Sequence, residues 1–397
     1  MATTAEEPRH LASSCDSSQP RDTKVIESPS SQPEMANEDP RIYPEGGIQG
    51  WLCVFGSFIG LIGSLGLVNS IGTFQAYLET HQLSQYHSSG KTGWIFGLFT
   101  FLTFFCGIQI GPISDARGPR LLVFLGSILV MAMMICIGFC EEYWQFILTI
   151  GVAGGIGTSL IFIPAISAIS HFFYRKRGLA TGIAAGGGSV GGVIFPLTLE
   201  SLFEQIGFAW ATRAAALICL VCLTVSCFLV SSRLPMKPFS RDNILPDLRI
   251  FRETRFLLTT LSVFFIEWGL FVPITYISSY ALANGISTKL SYQLLAVLNA
   301  GSFFGRLLPG CLADWVGRFN TLIVTIALCL VCNACLWMPA GGSIPLLVVY
   351  CCLFGFASGS NISLTPVCIG QLCDTAQYGR YYATAYTVVS IRYANWF

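Results

Sequence analysis

Two ionisable residues lie inside long apolar runs of this 397-residue sequence. Arg306 stands in AGSFFGRLLPG, and Glu267 stands in FFIEWGLFVPITY. A guanidinium group binds a carboxylate through two parallel hydrogen bonds, and a carboxyl group removed from water takes up a proton more readily than one in water. The two residues therefore indicate anion binding and proton exchange. Alternatively, Arg306 extends toward the nearby polar loop, and Glu267 is a neutral group bonded to a neighbouring helix.

Apolar runs dominate the sequence, and these runs must position the two groups. Hydrophobic residues make up 53% of the chain and charged residues 11%, whereas about a quarter of a typical soluble domain is charged. A run of about 20 apolar residues crosses a bilayer as a helix. The sequence predicts spans near residues 50–77, 93–113, 120–140, 144–170, 178–203, 208–231, 256–283, 291–312, 319–339 and 344–370, and a weaker one from Tyr381. We therefore predict an all-α integral membrane protein with about eleven transmembrane helices.

The sequence divides into four parts. Residues 1–44 are rich in Ser, Pro and acidic residues, which indicates a disordered tail because such a segment has little apolar surface to bury. Residues 45–231 contain six predicted helices, and residues 232–255 form a polar central loop. Residues 256–397 contain the other five predicted helices.

Cationic residues are concentrated in alternate loops. They are Arg117 and Arg120 after the second span, Arg175, Lys176 and Arg177 after the fourth, and Arg318 after the eighth. Lys and Arg favour the cytosolic loops of membrane proteins. We therefore expect these loops and the N-terminus to lie in the cytosol.

Composition argues against several function classes. A net charge of +1 provides no extended basic field for nucleic acid. Most of the 16 cysteines lie in apolar runs without neighbouring histidines, and we interpret them as packing residues rather than metal ligands. The four histidines form no catalytic motif, and we find no ATP-binding motif. We predict neither an enzyme nor a bound cofactor or metal.

One loop repeats 199 residues later, as GPISDARGPR and then GCLADWVGR. The matching pairs are Gly111 and Gly310, Asp115 and Asp314, and Gly118 and Gly317. The repeat indicates two structurally related halves. Glycine permits close helix packing, and an aspartate accepts hydrogen bonds from a helix N-terminus. We expect the two loops, with their arginines, to latch the halves together on the cytosolic side.

The repeated loop resembles the signature of the major facilitator superfamily, which implies two six-helix halves. Two other segments resemble signatures of the monocarboxylate porter family, and the long tail is similar to that of fungal members. The first, EGGIQGW, contains Glu45, Gly46, Gly47 and Trp51. The second, HFFYRKRGLATG, contains Arg175, Lys176, Arg177, Leu179, Ala180 and Gly182.

The resemblance to monocarboxylate porters implies roles for residues within the spans. Arg306 matches by position the helix-eight arginine that binds the substrate carboxylate in that family. The family's helix-one lysine and helix-eight acid correspond here to Asn69 and Ser302, neither of which carries a proton near neutral pH. We expect Arg306, Asn69 and Ser302 to bind substrate. Glu267 is then the candidate for proton coupling.

These features together predict a secondary active or facilitative transporter that works by alternating access. The expected substrate is a small organic acid or another carboxyl-bearing metabolite, including a secondary metabolite, moved across the plasma membrane. The resemblance implies twelve helices, so we expect the C-terminal half to be incomplete. Two alternatives are a nutrient sensor that binds without transporting and an inactive truncated transporter.

Overall fold

The described part of the chain is almost entirely helical. The computed structural model describes residues 43–83, 89–235 and 245–394. The predicted tail therefore lies outside the described residues up to position 42, as does the middle of the predicted central loop, residues 236–244. Helices form because lipid offers no hydrogen-bond partner to the backbone, and a helix pairs its own N–H and C=O groups.

Nine helices within the described ranges are long and apolar enough to cross a membrane. They are α1 (Gly47–Glu79), α2 (Thr92–Arg117), α3 (Arg120–Phe139), α4 (Tyr143–Ser170), the pair α5 and α6 (Arg177–Leu229), α7 (Thr254–Ala283), α8 (Thr288–Val316), α9 (Arg318–Trp337) and α10 (Ile344–Ile369). The 53-residue helix turns at Gly207, so its two arms are numbered separately. A shorter helix of 17 residues, α11 (Tyr378–Ala394), follows. We refer to α1–α6 as the first half, to α7–α11 as the second half, and to the contact between them as the seam.

Several helices are locally interrupted. Within α1 the helix is regular over Gly47–Gly63 and Leu65–Val68 and again from Ile71 onward, so Asn69 lies in its second interruption. The π-helical stretch Ile147–Gly154 lies within α4. Gly207 has a φ of 77°, a conformation that strains residues with a side chain, and it turns the chain from α5 into α6.

Glycines allow α5 to approach helices of both halves. A Cβ atom on Gly187 would lie 2.0 Å from the carbonyl oxygen of Phe58 in α1. A Cβ atom on Gly182 would lie 2.3 Å from the carbonyl oxygen of Arg306 in α8. Membrane helices associate chiefly by such close packing. The glycine-rich α5 therefore lies tightly between the first helix of its own half and a helix of the other.

The cationic loops lie on one side of the molecule. Glu45, before α1, accepts hydrogen bonds from the backbone just before α5. Arg120, at the start of α3, donates to the carbonyl oxygen of Val230 after α6 at 3.4 Å. Arg318, at the start of α9, donates to the carbonyl oxygen of Tyr174 before α5. We call this side the basic face and the other side the opposite face.

Candidate functional site

The repeated aspartate of the second half caps a helix of the first half. The two carboxylate oxygens of Asp314, near the end of α8, accept hydrogen bonds from the backbone N–H groups of Gly178 and Leu179, each at 2.9 Å. These N–H groups belong to the first turn of α5, where a helix has unpaired donors and the positive end of its dipole. The contact therefore joins α8 to α5 across the seam at the basic face.

The repeated aspartate of the first half makes the reciprocal contact. Asp115, near the end of α2, accepts hydrogen bonds from the backbone N–H groups of Gly379 at 3.0 Å and Arg380 at 2.8 Å. Both donors lie in the first turn of α11. Each half thus supplies one carboxylate that caps a helix N-terminus of the other half. The two repeated aspartates of the sequence therefore make equivalent contacts across the seam.

Glycines of the repeated loop bring these helices close together. A Cβ atom on Gly310 would lie 2.7 Å from the carbonyl oxygen of Gly178, and one on Gly111 would lie 2.3 Å from that of Gly379. Real Cβ atoms do not approach backbone oxygens so closely. Larger residues at either glycine would therefore push the capped helix away from its aspartate.

The remaining residues of the two loops form turns and a cationic rim. Gly118 and Gly317 have φ angles of 84° and 110°, which glycine adopts readily, and they turn the chain into α3 and α9. Arg117 and Arg120 are exposed at the basic face. Arg318 is instead 8% exposed, beside the start of α5.

The two segments that resemble the monocarboxylate porter signatures contact each other. The carboxylate of Glu45 accepts three backbone hydrogen bonds. The donors are Tyr174, Arg175 and Lys176, at 3.1, 2.7 and 3.2 Å. The rings of Trp51 and Phe173 meet edge to face at a centroid distance of 5.1 Å. Gly46 and Gly47, with φ angles of 138° and 73°, shape the turn that brings Glu45 to this position. Of the other signature residues, Ala180 is fully buried within the first half.

Arg177 bridges the seam, a role that sequence analysis missed. Its side chain is 1% exposed. Within the first half it donates to the carbonyl oxygens of Phe173 at 3.1 Å and Ser170 at 3.3 Å. Across the seam it donates to the carbonyl oxygen of Gly370 at 2.9 Å and to the hydroxyl of Thr375 at 3.1 Å. A buried guanidinium needs such acceptors, so opening the basic face would remove two of the four.

Tyr43 also reaches the second half, although the sequence indicated a disordered tail up to residue 44. It is 9% exposed, and its hydroxyl forms a hydrogen bond with the hydroxyl of Thr375. Its ring packs against that of Tyr174 at 5.3 Å. The segment just before α1 is therefore part of the closed basic face. The sequence signal for this contact was an aromatic residue, Tyr43, at the end of a polar segment.

Arg306 and Glu267 lie in one buried ionic site at the seam. Both side chains are 2% exposed. The Nη1 group of Arg306 donates to the carbonyl oxygen of Ala185 in α5. The guanidinium also interacts electrostatically with Glu267 of α7 and with Tyr386 of α11. Its Nε–H has no hydrogen-bond partner in the described part of the chain. The structure thus brings together the two residues that the sequence predicted to bind an anion and to exchange a proton.

A polar cleft of about 190 Å³ lies between α1, α2, α7 and α8, toward the opposite face. Its polar lining consists of Asn69, Gln75, Glu79, Thr100, Thr275, Tyr276, Ser278 and Ser279. The side-chain amide of Asn69 donates to the carbonyl oxygen of Gly188 at 2.9 Å. A Cβ atom on Gly188 would lie 2.9 Å from Nη1 of Arg306. Asn69 and Arg306 thus share Gly188 as a neighbour, but only Asn69 of the two lines the cleft.

Ser302, like Arg306, does not line the cleft, and its role in substrate binding stays a prediction. It packs against α10, where a Cβ atom on Gly359 would lie 2.7 Å from its Oγ. Arg306 follows Ser302 by four residues, about one helical turn, so the two side chains start from neighbouring positions on the surface of α8. Sequence analysis missed Asn299 on the seam side of α8, whose amide donates to the carbonyl oxygen of Gly192 at 3.3 Å. A polar amide within an apolar run was the signal for it.

Comparison with known proteins identifies the class. Residues 50–393 match the model of the Major Facilitator Superfamily, and the chain belongs to this superfamily. It is 35% identical over 381 residues to the riboflavin transporter MCH5 of Saccharomyces cerevisiae, covering 91% of this chain and 73% of that protein. It is 38% identical over 346 residues to the MFS-type transporter opdF of Penicillium oxalicum, covering 86% and 80%.

A further relative supports the same class, and a solved structure shares the fold. The aspyridones efflux protein apdF of Emericella nidulans is 35% identical over 374 residues, covering 94% of this chain and 74% of that protein. The fold is similar to the crystal structure of the human organic anion transporter MFSD10 (TETRAN), with a TM-score of 0.68 at 16% identity, covering 87% of this chain and 91% of that one. These findings confirm the predicted major facilitator fold and a multi-pass membrane transporter. The assignment to monocarboxylate porters stays a prediction.

Proposed function

We propose that this chain is a secondary transporter of the monocarboxylate porter type that moves a small carboxyl-bearing metabolite across the plasma membrane. The observation that carries the proposal is the asymmetry of the seam. Reciprocal aspartate caps join the halves at the basic face, and a polar cleft lies toward the opposite face. Alternating access requires a site that is open to one side while the other side is closed. Because cationic loops favour the cytosol, the basic face is the cytosolic one.

Transport then requires the basic face to open in turn. The halves must part where Asp115 and Asp314 cap helices of the other half and where Arg177 crosses the seam. Hydrogen bonds to a carboxylate each contribute about 1.5–3 kcal/mol, so the caps favour the state that is closed to the cytosol. The caps hold the two halves together as a reversible latch, and water and loop residues replace their bonds in the open state.

Arg306 is the residue we assign to the substrate carboxylate. It lies where α8 meets α5, and its contact with the carbonyl oxygen of Ala185 crosses the seam. When the halves part, this contact is lost and the guanidinium becomes available for two parallel hydrogen bonds to a carboxylate. The names of two relatives specify organic metabolites, riboflavin and aspyridones, which supports an organic substrate. Asn69, which lines the cleft, is assigned to the same substrate.

Glu267 provides the coupling to a proton. While it is ionised, its carboxylate interacts with Arg306 and competes with the substrate for the guanidinium. Protonation of Glu267 ends that competition, so substrate and proton bind together. Glu267→Gln is permanently in the neutral form. We expect it to transport without pH dependence while substrate exchange persists, and unchanged pH dependence would contradict this role.

The experiment compares metabolites inside and outside cells that make the intact chain, Arg306→Ala or Arg213→Ala, with membrane insertion verified for each. Arg213 is a control cation away from the seam, over the rings of Phe139 and Trp210 at 4.7 and 4.9 Å. A carboxylate should redistribute with the intact chain and with Arg213→Ala but not with Arg306→Ala. The absence of any redistribution by inserted protein would contradict transport. Binding by the purified chain without redistribution would instead favour the nutrient sensor.

A further inference from the structure

Four aromatic side chains fill the seam next to the ionic site. Phe104 of α2 and Phe162 of α4 come from the first half, and Tyr382 and Tyr386 of α11 come from the second. Each is 6% exposed or less. We call these four residues the aromatic cluster. Neither the sequence signatures nor the transport mechanism proposed above assigns them a role.

The ring contacts of the aromatic cluster cross the seam. Phe104 stacks on Tyr386 with a centroid distance of 5.4 Å and an interplanar angle of 27°. Phe162 meets Tyr382 at 5.9 Å and Tyr386 at 6.3 Å, both edge to face. These distances lie in the range where aromatic pairs attract one another. When the halves separate at the basic face, the rings lose these partners.

Two buried hydrogen-bond donors near the rings have no acceptor among the described residues. The hydroxyl of Tyr382, which is fully buried, has no hydrogen-bond partner among the residues described. The Nε–H of Arg306 is in the same situation. Tyr386 interacts electrostatically with Arg306, and Tyr382 does so with Glu267, so the aromatic cluster lies within electrostatic range of the ionic site. Unpaired buried donors are unfavourable, and their concentration here indicates that a ligand pairs with them in another conformation.

We propose that the aromatic cluster is the subsite for the planar ring of an aromatic carboxylate, with the carboxylate on Arg306. This assignment rests on the proposed transport of carboxylates and specifies their chemical class. In the open state, a flat ring bound between the two halves makes face and edge contacts with the aromatic side chains on both sides. These contacts replace the one that Phe162 and Tyr386 make with each other in the closed state. A saturated ring of the same size makes similar van der Waals contacts with these side chains. It lacks the π-electron quadrupole, so it does not make the electrostatic interaction between aromatic rings.

The test measures binding of benzoate and cyclohexanecarboxylate, a planar and a saturated ring with the same charge, to the purified full chain in lipid nanodiscs by calorimetry. A small population of the open state weakens both affinities by the same factor, so their ratio is unaffected. Phe104→Leu removes one ring of the cluster. Phe105→Leu is the matched control, because Phe105 is 41% exposed and stacks on Phe101 of its own helix.

The intact chain and Phe105→Leu should prefer benzoate, and Phe104→Leu should reduce this preference by roughly twofold to tenfold. Phe162→Leu should act in the same direction and replaces Phe104→Leu if that variant does not fold. Equal affinities for the two ligands in the intact chain would overturn the aromatic subsite and leave carboxylate transport standing. An equal loss of preference in Phe105→Leu would overturn the assignment to the cluster. If neither ligand binds the folded chain, the aromatic subsite is overturned, while carboxylate transport is decided by the redistribution experiment.

Discussion

Replacement of Asp314 by Asn should shift the whole protein toward the state that is open at the basic face. The aspartate accepts two backbone hydrogen bonds at 2.9 Å from the first turn of α5. Asparagine has the same shape, but its one carbonyl oxygen keeps one of these bonds, and its NH₂ group faces the other donor. The lost charged hydrogen bond contributes about 1.5–3 kcal/mol and the lost helix-dipole interaction about 0.3–1 kcal/mol, which together amount to about 2–4 kcal/mol. The ratio of open to closed molecules should therefore rise by roughly 30- to 900-fold.

Hydrogen–deuterium exchange of the full chain in lipid nanodiscs measures this shift. The informative amides are those of Gly379 and Arg380 in α11, which Asp115 caps and the substitution does not touch. If both caps break in one rigid-body transition, Asp314→Asn accelerates exchange at α11 as much as at Gly178 and Leu179 in α5. Faster exchange confined to α5 would refute the reciprocal latch, because the two caps would then open independently.

Glu142→Gln is the matched control for this experiment. Glu142 caps the start of α4 with its side chain, but the contact lies within one half and away from the basic face. Removing its charge is expected to change exchange only in the first turn of α4. An effect at α11 as large as that of Asp314→Asn would indicate a general loss of stability rather than release of the latch.

Two other substitutions test the packing and the closed face. Gly187→Ala places a Cβ atom 2.0 Å from the carbonyl oxygen of Phe58 and should destabilise the protein by about 1–3 kcal/mol, seen as a lower unfolding temperature. Gly269→Ala, where a Cβ meets nothing within 4 Å, should leave that temperature unchanged or raise it, and an equal fall in both variants would contradict the packing argument. Tyr43→Phe removes the hydrogen bond to Thr375 and should increase exchange at the start of α11 by about two- to tenfold; unchanged exchange would show that the segment before α1 does not hold the face closed.

The fold class and the internal symmetry follow from the amino-acid sequence alone. Apolar runs of about 20 residues have one stable conformation in lipid, because only a helix pairs every backbone group within a single segment. Two identically spaced aspartates, Asp115 and Asp314, indicated related halves without any knowledge of their contacts. The charged residues Arg306 and Glu267 were conspicuous because a charge in an apolar span is costly.

Which residues meet depends on how the helices pack in the folded protein. This packing placed each aspartate at a helix of the other half, turned Ser302 toward α10, and put Tyr43 and the aromatic cluster at the seam. The physical reason lies in the solvent. A helix in water shows its packed face by an apolar stripe, but a helix in lipid is apolar all round. The contacts of such a helix depend on steric fit with its neighbours, and that fit does not exist until the helices are assembled.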